Sequence, residues 1–125
     1  MALSPDGRTL YVAQGSNTNM GGLALRSRFL PEYAFSAAIL AIDLRRIGDE
    51  TYDLPTLDDD SRAGVTDEND PFGGNGGKNQ ARVVTDGPVQ IHAPGFRNSY
   101  DVLMTTKGRL YTIQNGPGAG FGGLP

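Results

Sequence analysis

Ser4-Pro5-Asp6-Gly7-Arg8-Thr9-Leu10-Tyr11-Val12-Ala13-Gln14 returns near the other end of the chain as Thr105-Thr106-Lys107-Gly108-Arg109-Leu110-Tyr111-Thr112-Ile113-Gln114. Short apolar runs precede both copies, Met1 to Leu3 in one and Val102 to Met104 in the other. Each copy then crosses a turn with a glycine and enters a second short run of alternating character. Two such runs around a glycine that can take positive φ are the signature of a β-hairpin. Hairpins that repeat are the working unit of propellers and sandwiches, so the echo argues for an all-β protein built from like pieces. The plainer alternative is two unrelated hairpins in some other all-β chain.

Working outward, the stretch between the copies holds two more strand candidates. Ala38-Ile39-Leu40-Ala41-Ile42-Asp43-Leu44 is a continuous apolar run, as expected of an inner strand covered on both faces. Ala81-Arg82-Val83-Val84-Thr85 is shorter and is followed by Gly87-Pro88, with Val89-Gln90-Ile91-His92 as a further extended piece. The predicted order is strands A, B, C and D, then A and B again. In a propeller of four-stranded blades this is one blade and the inner half of the next. The hairpin glycines Gly7 and Gly108 are 101 positions apart, whereas a compact blade repeat takes roughly 40–50 residues. The surplus is assigned to loops: Asn17 to Tyr33, with a weakly supported helix over Leu23 to Phe35, and an acidic Gly-rich insertion over residues 49–80. The whole of 1–125 reads as a single partial domain.

Composition fits this reading and removes other classes. The chain has 125 residues, of which 38% are hydrophobic, with 18 Gly and 8 Pro. That much punctuation favours short strands and turns over long helices. The net charge is −3 and no basic cluster stands out, so neither nucleic acid nor an anionic membrane surface is an expected partner. There is no Cys, hence no disulfide framework and no thiolate site. No apolar run is long enough to span a bilayer. Met1 to Pro5 lacks the charged segment and apolar core of a signal peptide; the expectation is that Met1 is not the natural start of the parent protein.

The chemistry-bearing segment is Gly95-Phe96-Arg97-Asn98-Ser99-Tyr100-Asp101, followed by the second hairpin and then Asn115-Gly116-Pro117-Gly118. This pattern resembles the glucose/sorbosone dehydrogenase family, the soluble quinoprotein aldose dehydrogenases. In that family a Gly-x-Arg-Asn-Pro segment leads through an inner strand, a turn and a second strand to a Gly-Pro loop. The first hairpin, Phe29-Leu30-Pro31 and the strand from Ile39 to Leu44 share the likeness, which covers most of the chain outside the acidic insertion. The resemblance implies an all-β fold, a fragment of a six-bladed β-propeller with about one and a half four-stranded blades and long loop insertions, from a secreted or periplasmic parent. It also implies a site in which Arg97 faces a pyrroloquinoline quinone (PQQ) cofactor and substrate, Asn98 hydrogen-bonds the cofactor, and Gly116 and Pro117 offer carbonyls to a calcium ion beneath it. The resemblance thus implies PQQ and calcium as cofactors of the intact parent, with none assigned to this chain by itself. A guanidinium forks readily onto carboxylates or a quinone oxygen, and calcium accepts backbone carbonyls.

The sequence also departs from the family. Ser99 stands where the family has Pro, and Ser16 stands where it has the aspartate that supports the catalytic base. The family's catalytic histidine would lie before Met1, and the single histidine, His92, is elsewhere, in a stretch that reads as surface. Proton abstraction from a sugar carbon needs a positioned base, and this chain supplies none, so no catalytic residue is assigned. Arg97 and Asn98 also have a structural reading, Arg97 paired with Asp101 and Asn98 closing a turn. The insertion, with Asp58-Asp59-Asp60 and Asp67-Glu68-Asn69-Asp70, reads either as a solvated loop or as a source of hard calcium ligands without the helix-loop-helix calcium pattern. The function expected is a non-catalytic carbohydrate- or protein-binding module of a larger secreted protein, with part of a PQQ-dependent aldose sugar dehydrogenase as the alternative. A sugar is the expected ligand. Because one and a half blades leave open sheet edges, the chain is expected either to form homo-oligomers or to be completed by missing blades.

Overall fold

The computed structural model describes residues 1–18, 32–55 and 81–116. Among these residues six strands form: β1 (Ala2–Leu3), β2 (Thr9–Gln14), β3 (Ala38–Asp43), β4 (Val89–Pro94), β5 (Asn98–Met104) and β6 (Leu110–Asn115). The first four make one antiparallel sheet in the order β1-β2-β3-β4, and β5 and β6 make a separate hairpin. The chain is therefore predominantly β, with two open antiparallel sheets.

The sequence echo is a structural echo. Gly7 and Gly108 both sit at positive φ, 69° and 76°, and their amides close like turns onto Ser4 O and Thr105 O at 2.9 Å each. The turn hydroxyls do the same work: Ser4 Oγ accepts from Arg8 N at 3.2 Å, and Thr105 Oγ1 accepts from Arg109 N at 3.0 Å. Beyond each turn the registers agree. Leu3 faces Leu10 and Ala2 faces Tyr11 in one hairpin; Met104 faces Leu110 and Leu103 faces Tyr111 in the other. Side chains alternate between faces along a strand, so this pairing makes Met1, Ala2 and Leu3 the counterparts of Val102, Leu103 and Met104.

β3 is the inner strand that its unbroken apolar run predicts. Ala38, Ile39 and Leu40 are all buried. Ala38 and Leu40 join Phe35 and Val89 in a core on one face of the sheet, against which Ile42, Tyr52 and Ala81 pack. Tyr52 comes from the start of the acidic insertion, so that end of it contributes to the core; residues 56–80, with the remaining acidic residues, lie outside the described residues. Ile39 points to the opposite face and is only 1% exposed. On that side β5 lies against β2 and β1. Val102, 4% exposed and not a member of the first cluster, is the buried residue of the hairpin. The hairpin thus stacks on the face of the first sheet that carries Tyr11, Ala13 and Ile39.

Two expectations are corrected. The fourth strand is β4, Val89–Pro94, and not Ala81 to Thr85. Gly87 N donates to Val84 O at 2.9 Å, Asp86 takes φ 58°, and Gln90 Nε2 donates to the carbonyls of both Val84 and Gly87 at 2.9 Å. These bonds hold 84–87 as a turn, and only after it can the chain run beside β3. The strand from Ala38 also stops at Asp43, not Leu44. The Asp43 side chain accepts from Arg45 N and caps a single helical turn, α1 (Leu44–Ile47), which ends at Gly48 with φ 64°. Such a cap satisfies an amide the helix cannot serve itself. Of the weakly supported helix, residues 32–35 are not helical; the remainder and Phe29 to Pro31 lie outside the described residues. No helix among the described residues is long and apolar enough to cross a membrane.

Candidate functional site

The end of β2, the loop before β3 and the two ends of the β5–β6 hairpin meet around a cleft of about 660 Å³. Its walls include Ser16, Glu32, Tyr33, Phe96, Arg97 and Gly116. Arg97 is central for a reason that follows from pairing. Asn98 faces Asn115 across the hairpin, so the residues just outside, Arg97 and Gly116, must lie side by side. The Arg97 guanidinium donates to Gly116 O at 2.9 Å, and its backbone N–H donates to Gln114 Oε1 at 3.0 Å. The Arg97 carbonyl accepts from Ser16 N at 2.8 Å, which ties the hairpin to the end of β2.

The back wall is made by main chain. Ala37 stands at φ 54°, a left-handed conformation that costs an L-residue roughly 1–2 kcal/mol. It is held there by three bonds: its N–H donates to Gly15 O at 3.0 Å, and its carbonyl accepts from Gly95 N at 2.8 Å and Phe96 N at 2.9 Å.

Glu32 is the residue the sequence did not single out. Its carboxylate accepts from Asn17 N at 3.1 Å, from Thr18 N at 2.8 Å, and from the hydroxyls of Thr18 and Ser36. Partial burial pushes its pKa up, but these four hydrogen bonds outweigh that and hold the carboxyl below its ordinary value. Glu32 is therefore an anion at neutral pH and a weak base. Among the described residues, the Tyr33 hydroxyl and Ser99 Oγ on β5 are buried without a hydrogen-bond partner.

Arg97 and Gly116 therefore meet at one site, with Ser16 beside them. Asn98 is not on the cleft wall; it opens β5, and its Oδ1 lies 3.6 Å from where a Cβ on Gly15 would stand. Pro117 lies outside the described residues. The structural pairing of Arg97 with Asp101 has competitors: Arg97 turns to Gly116, and Asp101 Oδ1 accepts from Val102 N at 2.7 Å. His92 is exposed on β4 and stacks edge-on against Tyr11, with ring centroids 4.9 Å apart.

The fit to the implied cofactors is poor as the residues stand. A calcium ion on Gly116 O would sit beside a guanidinium already bonded to that oxygen, and two cations on one carbonyl repel. No group of three or more His, Cys, Asp or Glu able to hold a metal occurs among the described residues. A quinone bearing several carboxylates would be drawn to Arg97 but repelled by ionised Glu32. An uncharged polyol, with hydroxyls that both donate and accept, suits a wall carrying one cation and one anion.

Comparisons with known proteins found no matching family model, no matching curated protein and no matching solved structure.

Proposed function

We propose that this chain is a wedge of a β-propeller of the glucose/sorbosone dehydrogenase type, from a secreted or periplasmic parent, and that its cleft binds a carbohydrate without transforming it. The observation that carries this reading is the convergence of Arg97 and ionised Glu32 on one cleft that Tyr33 and Phe96 also line. Specific small-molecule sites pair apolar walls with a few placed polar groups, and a sugar offers hydroxyls to the polar groups and C–H faces to the aromatic ones. The non-catalytic part rests on Glu32. A carboxylate held by four donors with a lowered pKa is a poor proton acceptor, whereas an efficient general base has a pKa near the working pH.

The test is calorimetric titration of the full chain with a panel of neutral mono- and oligosaccharides, repeated with Arg97→Ala and Glu32→Gln. Binding weakened at least tenfold in both variants is expected. Equal binding by parent and variants, or no binding across the panel, refutes the reading. The second reading, part of a PQQ-dependent aldose dehydrogenase, draws on Arg97 lining the cleft. Adding PQQ with calcium to the same protein and following dye reduction with aldoses separates the two.

A further inference from the structure

Each hairpin presents the same two faces, but they meet different surroundings. The inner face of β5–β6 carries Val102, which is 4% exposed against the first sheet. Its register counterpart in the first hairpin, Met1, is 78% exposed, and Leu3, on the same face, is 50% exposed. The converse holds for the other face. In the first hairpin Ala2, Tyr11 and Ala13 lie on the side that β5 covers, and all three are half-buried. Their counterparts on the second hairpin, Leu103, Tyr111 and Ile113, are 62%, 52% and 67% exposed. They border a shallow groove of about 170 Å³. A contact made once inside the chain thus has its two halves repeated, exposed, on the outer faces of the described hairpins.

We propose that the Leu103–Tyr111–Ile113 face receives the Met1–Leu3 face of a second copy of this chain, extending the internal stacking of β5 on β2 from one molecule to the next. Contiguous exposed apolar side chains on a sheet mark an interaction surface. The occupant is named by continuity with the internal interface: the surface that already fits this kind of face is the Val102 side of β5–β6, and the Met1–Leu3 side is its counterpart in the first hairpin. The contact joins unlike faces, so it is heterologous and leads to a ring or an open array rather than a two-fold dimer. It is independent of the carbohydrate reading, because none of these residues lines the cleft.

Unlike faces give a sharp test by light scattering and sedimentation of the full chain. The parent is expected to associate with rising concentration, in multiples of 13.3 kDa. Tyr111→Glu destroys one face and Leu3→Lys the other; each variant alone is expected to remain monomeric, with the parent's far-ultraviolet spectrum. Mixed in equal amounts, they retain one good face each and are expected to form a one-to-one dimer that grows no further. A parent that stays monomeric to about 1 mM, near where the weakest specific contacts form, overturns the proposal and leaves that face to strands from outside this chain. Variants that associate like the parent overturn it in favour of edge-to-edge pairing, and a mixture that stays monomeric overturns the head-to-tail geometry.

Discussion

Replacing Glu32 by Gln tests the architecture of the cleft through its stability. In the parent, one carboxylate oxygen serves Thr18 N and Thr18 Oγ1, and the other serves Asn17 N and Ser36 Oγ. A glutamine keeps one acceptor oxygen and presents an NH2 where the other stood. The Ser36 hydroxyl has a fallback, Tyr33 O at 3.0 Å, whereas Asn17 N loses its carboxylate acceptor. One lost hydrogen bond to a charged group costs about 1.5–3 kcal/mol. Glu32 is half-exposed and water relieves part of that, which leaves about 1–2 kcal/mol. For a chain of this size, that lowers Tm by about 4–8 °C. The acid limb adds a signature. The folded pKa lies below the ordinary 4.5, so the carboxylate's contribution is fully present above pH 4.5 and is lost as pH falls through the folded value. Thermal melts followed by circular dichroism from pH 7 to pH 3 should show the gap between parent and variant constant down to about pH 4.5 and then closing. A gap that is absent at pH 7, or that fails to close in acid, refutes the account of Glu32 as an anion held by four donors.

Three further substitutions probe the fold itself. Ile39→Ala empties the one fully buried large side chain among the described residues and should cost about 2–5 kcal/mol in urea unfolding, whereas Ile113→Ala on the exposed hairpin face should stay within about 0.5 kcal/mol. Gly108→Ala meets no steric neighbour but must adopt φ 76°. A loss of about 1–2 kcal/mol is expected from the left-handed backbone alone, and an unchanged midpoint would show that the turn is not held in that conformation.

The hairpins were legible because a glycine turn between alternating runs constrains its own register, and the neighbours of the turn carry that constraint outward. Arg97 and Gly116, nineteen residues apart, could be placed together from the hairpin alone. β3 was legible because an unbroken apolar run has few other homes. The fourth strand was misplaced because Ala81 to Thr85 has strand-like composition, while the bonds from Gln90 that fold 84–87 into a turn come from a side chain whose role no local pattern signals. α1 was missed because one turn of helix has no periodicity to read. Glu32 was hidden for a different reason. It sits in a segment assigned to loop, and its significance comes from donors fourteen and fifteen residues earlier, a separation that depends on how the loop returns rather than on any motif.

The three hydrogen bonds that hold Ala37 have an implication for how this surface can change. Because peptide groups rather than side chains frame the back of the cleft, an exchange at Phe96 alters what the frame displays without removing the backbone bonds that hold it. The lining of this cleft is therefore open to change, by drift or by design, at little cost to the scaffold.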